Sequence, residues 1–253
     1  MSGNAAITWT NMGILRIVAT PIGNLEDLTH RAERTLKESD FVLCEDTRVT
    51  KRLLDHYNIT TSTISYHQHS GDLKTDKIIA LLREGKNLAL VTDAGTPGIS
   101  DPGSKLVSAV REEFGDAVKI ESVPGVSALA TAISISGVGF DRFLFLGFLP
   151  HKKGRQTMLK QIFRSEYPAV TYESKHRILK LLEELIKMSR ELQAPIEVRV
   201  ARELTKMFES FYSGSPEKVL AELQSDPNSL KGEFVVLINK KEDKNNTSNK
   251  ELS

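Results

Sequence analysis

The chain has 253 residues, 40% hydrophobic and 26% charged, ordinary globular values, and its length fits one large domain or two smaller ones. A formal net charge of +1 supplies no global field toward nucleic acid, so any such binding must use local basic groups. Cys44 is the only cysteine, which excludes an internal disulfide framework and a cysteine-based zinc site. No apolar run reaches the ~18 residues of a membrane span. Met1–Gly13 lacks the basic start and apolar centre of a signal peptide. A cytoplasmic protein without a membrane partner is expected, with residues 1–13 as a flexible extension.

Leu15-Arg16-Ile17-Val18-Ala19 reads as a short buried strand, broken by Thr20-Pro21-Ile22-Gly23-Asn24. A helix follows through Leu28, Ala32 and Leu36, with Asp27, Thr29 or a neighbour as its cap. The spacing matches neither G-x-G-x-x-G nor G-x-x-x-x-G-K-[ST], which argues against a nicotinamide site and against triphosphate chemistry. Phe41–Cys44 is the next strand and ends in Glu45-Asp46-Thr47-Arg48. Adjacent carboxylates at a strand end repel, so each needs a role. One can cap the following helix, and the other then wants Arg48 or a substrate group. A capped helix braced by a salt bridge is the purely structural alternative.

Thr63–His69 reads as a strand in which His67 and His69 share one side. They suit a substrate or phosphate, or simple packing. A third ligand at sensible spacing is missing, so no metal is expected. Ile78, Leu81 and Leu82 give the next helix its core face, closed by Gly85, and Asn87–Val91 is a buried strand. Thr92-Asp93-Ala94-Gly95-Thr96-Pro97-Gly98-Ile99-Ser100-Asp101-Pro102-Gly103 follows, before a helix from Lys105. So much turn chemistry at a strand's carboxyl end describes a rigid loop that lets backbone approach a ligand. Lys119–Val123 is a fifth strand, ending at Pro124-Gly125-Val126-Ser127-Ala128. Residues 14–124 therefore form an α/β domain with a parallel sheet, and a long helix across Pro124–Ser136 bridges to a second α/β domain, 125–238.

In that second domain Phe143–Phe148, Ala169–Glu173, Ile196–Arg202, Phe208–Ser213 and Val235–Ile238 read as strands. Ile178, Leu181, Leu182, Leu185 and Ile186 define an amphipathic helix. Ser215-Pro216 is a helix start with proline at the first helical position. Lys152, Lys153 and Arg155 make a basic loop suited to RNA phosphates, with Lys175 and Arg177 as further candidates. From Asn239 the chain is polar until Leu252, so 239–253 is expected to be a disordered tail.

Taken together, these motifs resemble the tetrapyrrole methylase superfamily. Pro21-Ile22-Gly23-Asn24-Leu25-Glu26-Asp27-Leu28-Thr29 looks like its first loop, usually G-P-G-D-x-x-x-L-T, with proline for the first glycine and asparagine for the aspartate. Glu45-Asp46-Thr47-Arg48, Thr92–Pro97 with Ser100–Gly103, and Pro124–Ala128 narrow the likeness to the bacterial members that methylate small-subunit ribosomal RNA. The similarity runs from Leu15 to Ile238. It implies a class III methyltransferase fold of two α/β domains with the cofactor cleft between them, and a homodimer. It also implies S-adenosyl-L-methionine as cofactor, and as substrate the ribose 2′-hydroxyl of a cytidine in the decoding region of 16S ribosomal RNA, free or in the small ribosomal subunit.

By the same resemblance, Asp93, Ala94, Gly95, Thr96, Pro97 and Ile99 would meet the methionine and sulfonium end, with Ser127 and Ala128 nearby. Tyr172, Ala201 and Arg202 would surround the adenosine. Pro21, Ile22 and Gly23 would approach cofactor or substrate. A ribose hydroxyl is a poor nucleophile at neutral pH, so a proton acceptor is expected. Glu45 or Asp46 is the candidate, with Arg48 orienting the other or binding phosphate and His67 as a substitute. Two other functions fit parts of the pattern: methylation of a small molecule on the same fold, and RNA binding without catalysis during ribosome assembly.

Overall fold

The computed structural model describes residues 12–67 and 72–241. The chain divides into two compact units, Met1–Ser127 and Ala128–Ser253.

In the first unit strands and helices alternate: β1 (Ile14–Val18), α1 (His30–Glu38), β2 (Phe41–Cys44), α2 (Thr47–His56), β3 (Ser62–Ser65), α3 (Asp72–Arg83), β4 (Leu88–Leu90), α4 (Gly103–Phe114) and β5 (Lys119–Val123). The strands form one sheet in the order β3-β2-β4-β1-β5, and every pairing is parallel. The inner strands β2 and β4 are covered on both faces, which is why they read as unbroken apolar runs. Val18, Val42 and Ala89 pack with Ala32 and Leu36 of α1 and Leu53 and Leu54 of α2. On the other face Leu15, Leu43 and Leu88 pack with Ile78 and Leu82 of α3 and Leu106 and Val110 of α4.

That division of faces locates the site. β1 and β4 are neighbours, yet β1 leads through α1 toward β2 and β4 leads through α4, on the opposite face, toward β5. The helices that follow them lie on opposite faces, and the carboxyl edge at such a switch point is where open α/β sheets hold ligands.

The second unit contains α5 (Ala128–Ser134), β6 (Leu144–Phe148), α6 (Arg155–Arg164), β7 (Ala169–Ser174), α7 (Ile178–Glu191), β8 (Ile196–Arg202), β9 (Ser210–Gly214), α8 (Pro216–Ser225) and β10 (Glu233–Lys240). Its sheet runs β6-β7-β10-β8-β9, with β6 and β7 parallel and the other pairs antiparallel. Leu181, Leu182 and Leu185 of α7, Leu159 and Ile162 of α6, and Val219 and Leu223 of α8 build its core against Val198, Val200, Val236 and Ile238.

Three expectations change here. α5 is seven residues long rather than a long bridging helix; Gly137, at φ +69°, turns the chain soon afterwards. β10 runs on through Asn239 and Lys240, which pair with Glu197 and Ile196, because a backbone ladder does not require apolar side chains. β9 starts at Ser210, since the Phe208 carbonyl is taken by the Arg202 guanidinium at 2.9 Å. Among the described residues no helix is long and apolar enough to cross a membrane.

Candidate active site

Three loops leaving the first sheet are stitched together at its carboxyl edge. Thr20, just past β1, and Gly95, past β4, exchange two backbone hydrogen bonds of 2.9 and 3.0 Å. The Thr20 hydroxyl donates to the Thr92 carbonyl at 3.0 Å, and the Thr96 hydroxyl donates to Val126 O, past β5, at 3.0 Å. Gly95 is buried at φ +87°, and a Cβ there would stand 3.4 Å from Ile22 Cγ2. Gly98 is exposed at φ +89° with open space where its Cβ would be. Asp101 clasps the loop, accepting from Gly98 N and Gly103 N at 2.6 Å each. Pro21, Ile22 and Pro97 are buried and Gly23, Asp93 and Ala94 exposed, while Thr96 and Ile99 lie between; the buried prolines and bridging hydroxyls hold exposed backbone in place.

Glu45 and Asp46 separate into two roles. Asp46 is the N-cap of α2, accepting from Arg48 N at 2.8 Å and gripping the Arg48 side chain through Nε at 3.0 Å and Nη2 at 2.7 Å. These bonds favour its charged form and hold its carboxyl down to about 2. Arg48 is thereby engaged. Among the described residues Glu45 forms no ion pair. Its Oε1 accepts from the Thr92 hydroxyl at 3.5 Å, and half-burial, then Asp93 and Asp101, push its carboxyl above the ordinary value. Asp93 Oδ1 also accepts from Asp46 N at 3.2 Å, tying the loop after β4 to the end of β2. His67 lies exposed beyond β3 at the same edge, where Tyr66 N continues the ladder to Cys44 O at 2.8 Å. His69 lies outside the described residues. Among those described, no group of three histidine, cysteine, aspartate or glutamate side chains stands together to hold a metal ion.

A sheet with a switch point, a stapled glycine-proline loop and an acid freed of its neighbour's cation is a geometry for binding a small ligand beside a proton acceptor. Residues 15–219 match the family of tetrapyrrole (corrin/porphyrin) methylases. Over 228 residues the chain is 45% identical to the ribosomal RNA small subunit methyltransferase I of Synechocystis sp., covering 90% of this chain and 79% of that one. It is 43% identical over 228 residues to the protein of the same name from Hydrogenobaculum sp., covering 89% and 95%. The chain belongs to the tetrapyrrole methylases, in the ribosomal RNA small subunit methyltransferase I family. This is a family of S-adenosylmethionine-dependent methyltransferases. The fold is shared with uroporphyrin-III C-methyltransferase of Thermus thermophilus, solved with S-adenosyl homocysteine: TM-score 0.60 at 19% identity, over 89% of this chain and 97% of that one.

Within this methyltransferase the second unit alters several expected roles. Arg155 is not a surface phosphate ligand. Its side chain is 3% exposed, with Nε donating to Glu184 Oε2 at 2.8 Å and Nη1 3.6 Å from Glu173 Oε2. Arg177 is likewise engaged, donating from Nε to Glu173 Oε1 at 2.8 Å and from Nη1 to the Leu149 carbonyl at 2.7 Å. Burying a guanidinium demands such partners, which removes both residues from the basic patch. Arg202 is buried too, its nitrogens given to the carbonyls of Lys231, Asn228 and Phe208 and to Ser210 Oγ. It therefore braces the turns around β8 and β9, and its guanidinium is not available to an adenosine. Ala201 is fully buried between β10 and β9, and half-buried Tyr172 meets Phe145 and Phe148 edge to face. Ser127 and Ala128, half-buried, flank the division of the two units, and Lys152, Lys153 and Lys175 are exposed as expected.

Glu173, which no pattern in the sequence singled out, is fully buried between these two arginines. Glu173→Ala would take from Arg177 its carboxylate partner and leave Arg155 with Glu184 alone. The expected cost is about 3–5 kcal/mol of unfolding free energy, read from denaturant melts. A loss under about 1 kcal/mol would show that the cluster is held by something else.

Proposed function

We propose that this methyltransferase moves a methyl group from S-adenosylmethionine to the ribose 2′-hydroxyl of a cytidine in the decoding region of 16S ribosomal RNA. The observation that carries this is the 45% identity, over 90% of the chain, to a ribosomal RNA small subunit methyltransferase. Arrangement of the first unit supports it. A cofactor with an ammonium and a sulfonium suits an edge bearing Asp93, Glu45 and Asp101, with little cationic charge left to oppose them. Space beside Gly98 and the exposed backbone at Ala94 suit its close approach. The fit is good. In this reading Asp93 to Ile99 hold the methionine end, with Pro21 to Gly23 and Ser127 alongside.

When bound, the cofactor supplies a methyl group on a positively charged sulfur. The chain's part is to orient the hydroxyl, exclude water and take its proton. Glu45 takes that proton at its carboxylate, and Asp46 does not, because Arg48 already holds it. The resemblance also supports a homodimer, which light scattering on the purified protein tests. For the activity, the protein is incubated with labelled cofactor and small subunits lacking this methylation, and the label is mapped. Label on the 2′-oxygen of one decoding-region cytidine is the expected result. Cofactor binding without transfer to subunit or naked RNA would overturn the reading.

A further inference from the structure

The second unit carries a basic edge that the first unit's chemistry leaves unused. β6 and β7 run parallel with Phe148 opposite Tyr172, so the loops leaving both strands emerge at one end of the sheet. The first loop carries His151, Lys152 and Lys153, and the second carries Lys175 and His176; all five are exposed. Neither loop contains an exposed carboxylate. Both are fixed from below, where Arg177 reaches across from the second loop to Leu149 O at the root of the first. Arg155, at the end of the first loop, pairs with Glu173 at the end of β7. The loops open into α6 and α7, neither of which has a side-chain cap, so the positive ends of two helices add to the lysine charge. At the root of the first loop stands Phe148, 54% exposed and propped edge-on against Tyr172 at 5.5 Å.

We propose that this edge docks single-stranded RNA, with Phe148 as a stacking face for an unpaired base and Lys152, Lys153 and Lys175 as phosphate contacts. An aromatic face beside fixed cations is what unpaired nucleotides require, because every base offers a π-surface and every linkage a negative charge. The choice of RNA rests on the function proposed above. Arg155, Glu173 and Arg177 are positioning residues that hold the two loops together.

The test uses the full-length protein and a short labelled unstructured RNA, with binding followed by anisotropy across a salt series. Changing Lys152, Lys153 and Lys175 together to alanine should reduce the slope of log affinity against log salt by about 2, from ~0.7 per phosphate contact. Phe148→Ala should weaken binding roughly 5- to 150-fold without changing that slope, and should do little to a duplex RNA. Cofactor affinity by calorimetry should stay the same in the triple lysine variant. An unchanged slope in the triple variant overturns the phosphate contacts, and equal Phe148→Ala losses on duplex and single strand overturn the stacking. Lysine-dependent binding to phosphatidylserine vesicles with RNA binding unaffected would assign the edge to a membrane instead. Methyl transfer by the wild-type protein reports separately on the proposed function. Transfer with an unaltered salt slope defeats the docking edge alone, whereas lysine-dependent RNA binding without transfer defeats the methylation reading and supports the edge.

Discussion

Replacing Glu45 with glutamine is expected to slow single-turnover methyl transfer by about 10²- to 10⁴-fold, the usual contribution of a positioned general base. Cofactor affinity should change far less than the rate. The companion variant Asp46→Asn should keep much of the transfer rate and lose a little stability, because asparagine still caps α2 but gives up the charge that faces Arg48 and the helix N-terminus. The two carboxyls also shift in opposite directions, which gives each variant its own pH signature. Asp46 is held down to about 2 in the folded protein, so its contribution to stability is complete above its unfolded value and disappears as pH falls through about 2. The melting deficit of Asp46→Asn should therefore be present at neutral pH and close in strong acid. Glu45 is raised, so its folded form favours the proton, and ionising it costs stability as pH rises past its unfolded value. Glu45→Gln should melt no lower than wild type at neutral pH. Wild-type transfer should rise with pH as Glu45 ionises, and this limb should be missing from the glutamine variant. Near-normal transfer in Glu45→Gln would remove the base from the mechanism and leave positioning as the source of rate.

The separation of these neighbours shows what a sequence can and cannot display. Both stand where a strand enters a helix, and spacing alone allows either to cap it. One signal was present: aspartate is a favoured N-cap because its short side chain reaches back to the backbone, and glutamate is not. The sheet was legible, since five short strand patterns separated by helical stretches admit little besides a parallel α/β layer. Helix α7 was legible for the same kind of reason. The roles of Arg155, Arg177 and Arg202 were hidden, because a basic residue in a polar loop looks solvated until its partners are known. For Arg155 those partners are Glu173 and Glu184, distant in sequence, and for Arg202 they are backbone carbonyls that leave no trace in the sequence. Only the Glu173–Arg177 pair, four residues apart, offered a local hint. Hidden in the same way were the Thr20–Gly95 exchange and the Asp101 clasp, which turn a glycine-proline loop into a rigid one.

That rigidity sets up the second large effect. Gly95→Val is expected to weaken S-adenosylmethionine binding roughly 5- to 150-fold, corresponding to about 1–3 kcal/mol of backbone strain at a non-glycine residue forced into a left-handed conformation. Gly95 sits at φ +87°, and its two hydrogen bonds to Thr20 hold it there. A Cβ would press on Ile22 Cγ2 at 3.4 Å and face Val126 O at 3.7 Å, and valine's branches would crowd both. The loop escapes this strain only by leaving the shape proposed to receive the cofactor, so the binding-competent fraction should fall and apparent affinity with it. Strain alone must be told apart from strain at the site. Gly115 serves as the control, at φ +55° past the end of α4, with open space for a Cβ and at the opposite edge of the sheet. Gly115→Ala should lower the melting temperature through its own left-handed strain while leaving calorimetric cofactor affinity at the wild-type value. Wild-type affinity in a folded Gly95→Val protein would mean that the loop tolerates the change or that the cofactor does not approach it. Equal affinity losses in both variants would mean that any weakening of the first unit is felt at the site, and that Gly95 holds no special place in it.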